Sequence, residues 1–216
     1  MNPLYFIVWF PCKLLFKIYF RWEIYGVSNV PRKGPALITS NHASFLDPVL
    51  IGTSLPMAIH YLARSTLFKN KLITWILKTV HAIPIDRERG GMAGLKTILE
   101  QLHQDCIINL FPEGTRSRDG KLQKAQTGIG LAVIKSEALV IPTRIFGSFE
   151  AYSRKDLFPK PQKIIIRYGT PLDFKELRQE SKACTKERLR EIYKEVAEQV
   201  MEAIARLTPT EELSKK

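Results

Sequence analysis

The residues in this chain whose types and spacing can do chemistry fall in three short polar stretches. The first is Asn41-His42-Ala43-Ser44-Phe45-Leu46-Asp47. An imidazole with a carboxylate on one ring nitrogen has its tautomer fixed and its protonated form stabilised. The other nitrogen is then left to act as a base toward a hydroxyl proton. On a straight helix five residues turn through about 500°, so His42 and Asp47 would face apart. Pro48, however, disfavours helical backbone at Asp47, so the chain should turn before a helix starts, and that turn can bring the carboxylate back to the imidazole. The competing reading makes Asp47 a helix N-cap and His42 a packed strand-end residue. The second stretch is Phe111-Pro112-Glu113-Gly114-Thr115-Arg116-Ser117, directly after an apolar run. Gly114 lets backbone amides approach a ligand, and Arg116 offers a planar fork for phosphate. A plain polar turn is the alternative. The third, Ile85-Asp86-Arg87, adds a second cation, or else belongs to surface ion pairs within Asp86-Arg87-Glu88-Arg89.

These stretches need elements to hold them. Ala36–Ser40, Ala82–Asp86, Cys106–Phe111, Leu139–Pro142 and Lys163–Tyr168 read as short strands. Pro48–Ser54, Phe68–Lys78, Gly91–Gln104, Gly128–Lys135 and Thr185–Leu207 read as helices from their apolar spacing, with Thr185 as an N-cap. Strands alternating with helices predict a single α/β domain, a mixed sheet of short strands flanked by helices. All three polar stretches then follow strand ends, the usual place for ligands in such sheets.

A chain of 216 residues, 45% hydrophobic and 25% charged, suits one globular domain and excludes disorder. Cys12, Cys106 and Cys184 share no CxxC spacing, which speaks against a disulfide framework or structural zinc site. The net charge of +12 sits in residues 1–168, with 23 Lys/Arg against 11 Asp/Glu, while residues 169–216 carry ten of each. That excess favours anionic partners: nucleic acid, an acidic membrane surface or phosphorylated substrates. With no RNA-binding aromatic motif, zinc finger or basic groove-reading helix, nucleic acid is not expected as a partner. Pro3–Phe20 is apolar and aromatic, but Pro11 interrupts it and Lys13 and Lys17 lie inside it, which suits neither a spanning helix nor a cleaved signal peptide. Lys13, Lys17 and Arg21 recur every fourth residue beside aliphatic and aromatic bulk, as in a helix lying in an anionic leaflet. A helix packed on its own domain is the alternative. Residues 1–25 are thus expected to be a membrane-interacting segment, followed by a domain over 26–216.

Taken in order, NHASFLD, AIPIDR, FPEGTRS and VIPTRI resemble the four blocks of the lysophosphatidic acid acyltransferase family of glycerolipid synthesis, bacterial-type members especially. His42 and Asp47 match that family's H-x4-D motif, Asp86 and Arg87 its second block, and Glu113 to Arg116 its Glu-Gly-Thr-Arg motif. The resemblance runs from about Val30 to Tyr168. It implies that His42 and Asp47 are catalytic, and that Arg64, Arg87, Glu113, Gly114, Thr115 and Arg116 bind substrate. It also implies an acyl-CoA or acyl-carrier-protein donor, a lysophosphatidic acid acceptor, and attachment to the cytoplasmic face of the cell membrane, with no metal or prosthetic group. Arg64 stands where many members have lysine, and Lys124-Ala125-Gln126-Thr127-Gly128 replaces a common Phe-Lys-Lys/Arg-Gly run.

Overall fold

The computed structural model describes residues 3–85 and 91–209; Asp86 and Arg87 lie outside them. Along the chain come α1 (Pro3–Tyr19), β1 (Glu23–Tyr25), β2 (Ala36–Ser40), α2 (Asp47–Ser54), β3 (His60–Arg64), α3 (Lys71–Thr79), β4 (Ala82–Ile85) and α4 (Gly91–His103). They are followed by β5 (Ile107–Leu110), α5 (Thr127–Ile134), β6 (Leu139–Phe146), α6 (Ser148–Ala151), β7 (Ile165–Tyr168), α7 (Lys175–Glu180) and α8 (Lys186–Arg206). The seven strands form one mixed sheet in the order β1-β7-β6-β2-β5-β3-β4. Among the described strands, β6 and β7 alone pair antiparallel with each other. Parallel neighbours need crossovers, which the intervening helices supply. The consequence for function is that β2, β3, β4 and β5 all end at the same edge of the sheet.

The sheet is covered on both faces, and strand alternation divides its side chains between two cores. All five residues of β2 are buried. Ala36 and Ile38 join Phe16, Phe20, Leu50, Ile51 and Ile166 on the α1–α2 face, while Leu37 joins Ile108, Val133, Ile192, Val196 and Val200 on the α4–α5–α8 face. Helix α5 lies so close to α8 that a Cβ on Gly130 would sit 1.9 Å from the Tyr193 carbonyl oxygen. Thr185 caps α8 as its position indicated, accepting from the Arg188 amide at 3.2 Å. Strands β1 and β3 carry no sequence signal. β1 has three residues, and β3 (HYLAR) has a single buried side chain, Tyr61, flanked by His60 and Arg64. Pairing with β5 and β4, not an apolar run, makes β3 a strand.

The expected boundary after residue 25 does not separate α1 from the domain. Phe16, Phe20 and Trp22 belong to the core, and β1 pairs with β7. Helix α1 has two apolar sides. Tyr5 and Phe16 are buried against the domain, whereas Ile7, Phe10, Leu14, Leu15 and Ile18 are exposed. At about 100° per residue, Lys13 and Lys17 fall on a flank between the two sides, and Lys13 Nζ stands 4.5 Å from the Trp9 ring centroid. Among the described residues no helix is long and apolar enough to cross a membrane.

Candidate active site

Strand β2 delivers Asn41 and His42 to the sheet edge. Asn41 is buried, and its side-chain amide both donates to and accepts from the Ile145 backbone, at 3.0 and 2.8 Å, which ties the chain after β2 to β6. The backbone then turns, and Asp47 comes back onto His42, with Asp47 Oδ2 2.9 Å from His42 Nδ1. The same oxygen accepts the backbone amides of Ala43 and Ser44 at 2.7 Å each. Asp47 is therefore not an N-cap: its bonds run backward to the turn, and it is the first residue of α2. The carboxylate is fully buried and the imidazole side chain 17% exposed. The Phe111 ring stacks on the imidazole at 3.9 Å between centroids and 17° between planes. With Nδ1 held by Asp47, Nε2 is the nitrogen left for a substrate proton.

Strand β5 delivers the Glu-Gly-Thr-Arg stretch beside it, and here two expectations change. Glu113, expected to bind substrate, is 2% exposed, and its carboxylate accepts the His42 amide at 2.8 Å and the Gln123 amide at 3.2 Å. It is a strut joining the β2 and β5 loops. Ser117 adds a second tie, its amide donating to the His42 carbonyl at 2.7 Å. Burial, which the two amide bonds oppose and the Asp47 charge reinforces, pushes the Glu113 carboxyl up to about 7. Gly114 is expected to let backbone amides approach a ligand; its own amide is engaged, donating to Phe111 O at 3.0 Å. What the glycine supplies is a left-handed turn (φ +70°) with a Cβ position only 3.0 Å from Gln126 Cγ.

A cavity of about 590 Å³ opens at His42. Its lining combines the polar side chains of Arg64, Thr115, Arg116 and Arg154 with the aromatic and aliphatic ones of Tyr5, Trp9, Tyr61, Leu77 and Val80. Arg116 lies over the Phe45 ring, 3.3 Å from Cζ to centroid, and its Nη1 is buried without a hydrogen-bond partner. Desolvation first, and the Arg154 charge second, lower the Arg116 pKa. Arg154 Nη2 donates to Thr115 Oγ1 at 2.7 Å. Two guanidinium groups thus face one polar pocket, an arrangement that an anion relieves. In the same lining the Tyr61 phenol fits only because residue 52 is glycine, since a Cβ there would lie 2.1 Å from the hydroxyl.

The acyltransferase family profile matches residues 21–146, more than half of the chain. The chain belongs to the acyltransferase family. It is 35% identical over 153 residues to the 1-acyl-sn-glycerol-3-phosphate acyltransferase of Bacillus subtilis, covering 69% of this chain and 73% of that one. The alpha form of the enzyme of the same name from Mus musculus is 28% identical over 159 residues, 70% of this chain and 55% of its own. The crystal structure of the 1-acyl-sn-glycerophosphate acyltransferase of Thermotoga maritima shares the fold, with a TM-score of 0.69 over 95% of this chain and 83% of that one at 22% identity.

In this acyltransferase the sequence-derived residues His42, Asp47, Arg64, Thr115 and Arg116 come together, with Glu113 and Gly114 behind them as framework; Arg87 lies outside the described residues. Arg154 was not found from sequence. It lies beyond the segment the family profile matches and reaches the site across 39 residues of chain to Thr115, so no local spacing announces it. Asn41 was missed as well, although a buried-strand terminus ending in asparagine immediately before the histidine is a readable sign of a side chain pinning backbone.

Proposed function

We propose that this acyltransferase moves a fatty acyl chain from a thioester of coenzyme A or acyl carrier protein to the sn-2 hydroxyl of 1-acyl-glycerol-3-phosphate, giving phosphatidic acid. The observation that carries the reading is the cavity itself. Its lining brings His42 of the His–Asp pair together with cationic and apolar side chains, which suits an amphiphile whose phosphate head pairs with the cations and whose hydroxyl meets the base. His42 Nε2 takes the hydroxyl proton while Asp47 stabilises the imidazolium. The alkoxide oxygen attacks the thioester carbonyl carbon, and the tetrahedral intermediate collapses by breaking the carbon–sulfur bond. The departing thiolate takes the proton back from Nε2, so the histidine ends as it began. Arg116 and Arg154 hold the acceptor phosphate, with Arg64, which lines the same cavity, and Arg87, on the strength of its motif, as further cations. A phosphate monoester offers three oxygens and nearly two charges, more than one guanidinium satisfies.

The acceptor lives in a bilayer, and the outer side of α1 fits one. Ile7, Leu14, Leu15 and Ile18 present an apolar strip, and Lys13 and Lys17 lie on its flank, where lysines reach headgroups. The protein accordingly works attached to the cytoplasmic face of the cell membrane. An acceptor panel tests the assignment. Thiol release should be rapid with lysophosphatidic acid and at least about tenfold slower with glycerol 3-phosphate or lysophosphatidylcholine, each with both donors. Equal rates across the panel would refute it.

A further inference from the structure

The two most exposed large apolar side chains among the described residues are neighbours, Leu157 at 85% and Phe158 at 78%. They sit at the tip of a closed turn. The Ser153 amide and hydroxyl both donate to Asp156 Oδ2, at 2.8 and 2.6 Å; Lys160 Nζ pairs with the same carboxylate, and the Lys160 amide donates to Ala151 O at 2.8 Å. The turn is braced from within, so the leucine and phenylalanine are held out in water instead of folding back. Its outer arm touches α1, where the Tyr19 hydroxyl donates to Pro159 O at 2.8 Å beside exposed Ile18. At its base lies a second cavity, about 260 Å³, lined by Arg118, Ser153, Arg154 and Lys155. The nearby acids are engaged elsewhere, Asp156 as above and Asp119 with Ser117 Oγ and the Lys121 amide.

We propose that the Ser153–Lys160 turn is a second bilayer-inserting element: Leu157 and Phe158 enter the acyl-chain region, and the Arg118–Arg154–Lys155 cavity receives the headgroup of an anionic phospholipid. An apolar pair flanked by cations is the pattern that partitions into an anionic interface. The Tyr19–Pro159 bond makes the tip continuous with the outer side of α1. Arg154 lines both cavities, so inserting this turn brings the Arg154 side of the active-site cavity to headgroup level, where a lysophospholipid presents its phosphate. The proposal rests on the reading of a bilayer-resident acceptor.

The test is sedimentation of the full chain with sucrose-loaded vesicles of equal parts phosphatidylglycerol and phosphatidylcholine, and with vesicles of phosphatidylcholine alone. Leu157→Ser/Phe158→Ser, with α1 untouched and the melting temperature unchanged, should lower partitioning onto both vesicles at least about tenfold. Arg118→Gln/Lys155→Gln should lower it by about tenfold on the anionic vesicles only. Leu157→Ser/Phe158→Ser should also lose turnover on vesicle-borne acceptor while keeping the wild-type rate in detergent micelles. Sedimentation needs no turnover, so a chain that binds vesicles through this turn yet transfers no acyl group would overturn the proposed reaction and leave the insertion standing. Unchanged partitioning of Leu157→Ser/Phe158→Ser would overturn the proposal. So would a lipid-free dimer that this variant dissolves, because a second copy would then cover the tip. A raised donor KM in Arg118→Gln/Lys155→Gln with vesicle binding intact would assign the cavity to donor phosphates and overturn it as well.

Discussion

Asp47→Asn separates the charge of the buried carboxylate from its geometry. In the wild type one oxygen, Oδ2, serves His42 Nδ1 and the amides of Ala43 and Ser44. An asparagine oxygen in the same place still accepts all three, so the turn and the imidazole orientation survive. The negative charge beside the imidazolium does not. Two unit charges about 4 Å apart at an effective dielectric near 20 attract by about 4 kcal/mol. At about 1.4 kcal/mol per decade, full loss of that term is roughly 10³ in rate; the retained amide dipole offsets part of it. The expected result is kcat lower by about 10²–10³ with a near-native melting temperature. Asp47→Ala should differ. It leaves two buried amides without an acceptor, which costs about 1–3 kcal/mol each, so stability falls together with rate. Thiol release from an acyl thioester in mixed micelles, with thermal unfolding in parallel, measures both. An Asp47→Asn enzyme within about threefold of the wild-type kcat would refute the role given to the charge.

Arg116→Ala and Arg154→Ala should each raise the acceptor KM at least about tenfold, since a charged hydrogen bond is worth about 1.5–3 kcal/mol, and leave the donor KM nearly unchanged; Arg116→Lys should recover only part, and saturation curves for both substrates decide it. Leu14→Ser/Ile18→Ser alters only the exposed side of α1 and should weaken binding to anionic vesicles in a salt-dependent way without changing the melting temperature, which vesicle sedimentation checks. Glu113 gives a pH dependence. Its carboxyl rises from 4.5 to about 7 on folding, so the native state holds the proton longer, and the stability this group contributes is full at low pH and lost as pH climbs through that window. Melting temperatures should therefore decline over that range in the wild type and decline less in Glu113→Gln; superimposable profiles would contradict the assignment.

The sequence carries the parts of the fold that rest on local pattern. Ala36–Ser40 reads as a buried strand because it is a short run with no polar interruption until its end, and α8 reads as a helix because Ile192, Val196 and Val200 keep one face. β3 does not read at all, since its strand state comes from partners on both sides and not from HYLAR itself. The site divides in the same way. His42 and Asp47 are legible together because a turn ahead of Pro48 can fold residues five apart onto each other, although the helix starts at Asp47 itself, one residue earlier than Pro48 implies. The role of Glu113 was not, because a glutamate in a polar loop looks like a ligand until its two backbone partners are seen. Arg154 belongs to the site only through the fold. The N-terminal segment reads as either packed or interfacial because the helix is apolar on two sides, one buried and one exposed.

The proposed reaction is acyl transfer to lysophosphatidic acid with His42 Nε2 as the base. The most direct measurement follows phosphatidic acid by mass spectrometry and free thiol by colour in one reaction of purified chain, lysophosphatidic acid and acyl thioester, with the wild type and with folded His42→Ala. Phosphatidic acid and thiol should form in equal amounts in the wild type, and both should fall together by about 10²–10⁴ in the variant. Thiol release without phosphatidic acid, or transfer that persists when His42 is alanine, would contradict the proposed reaction.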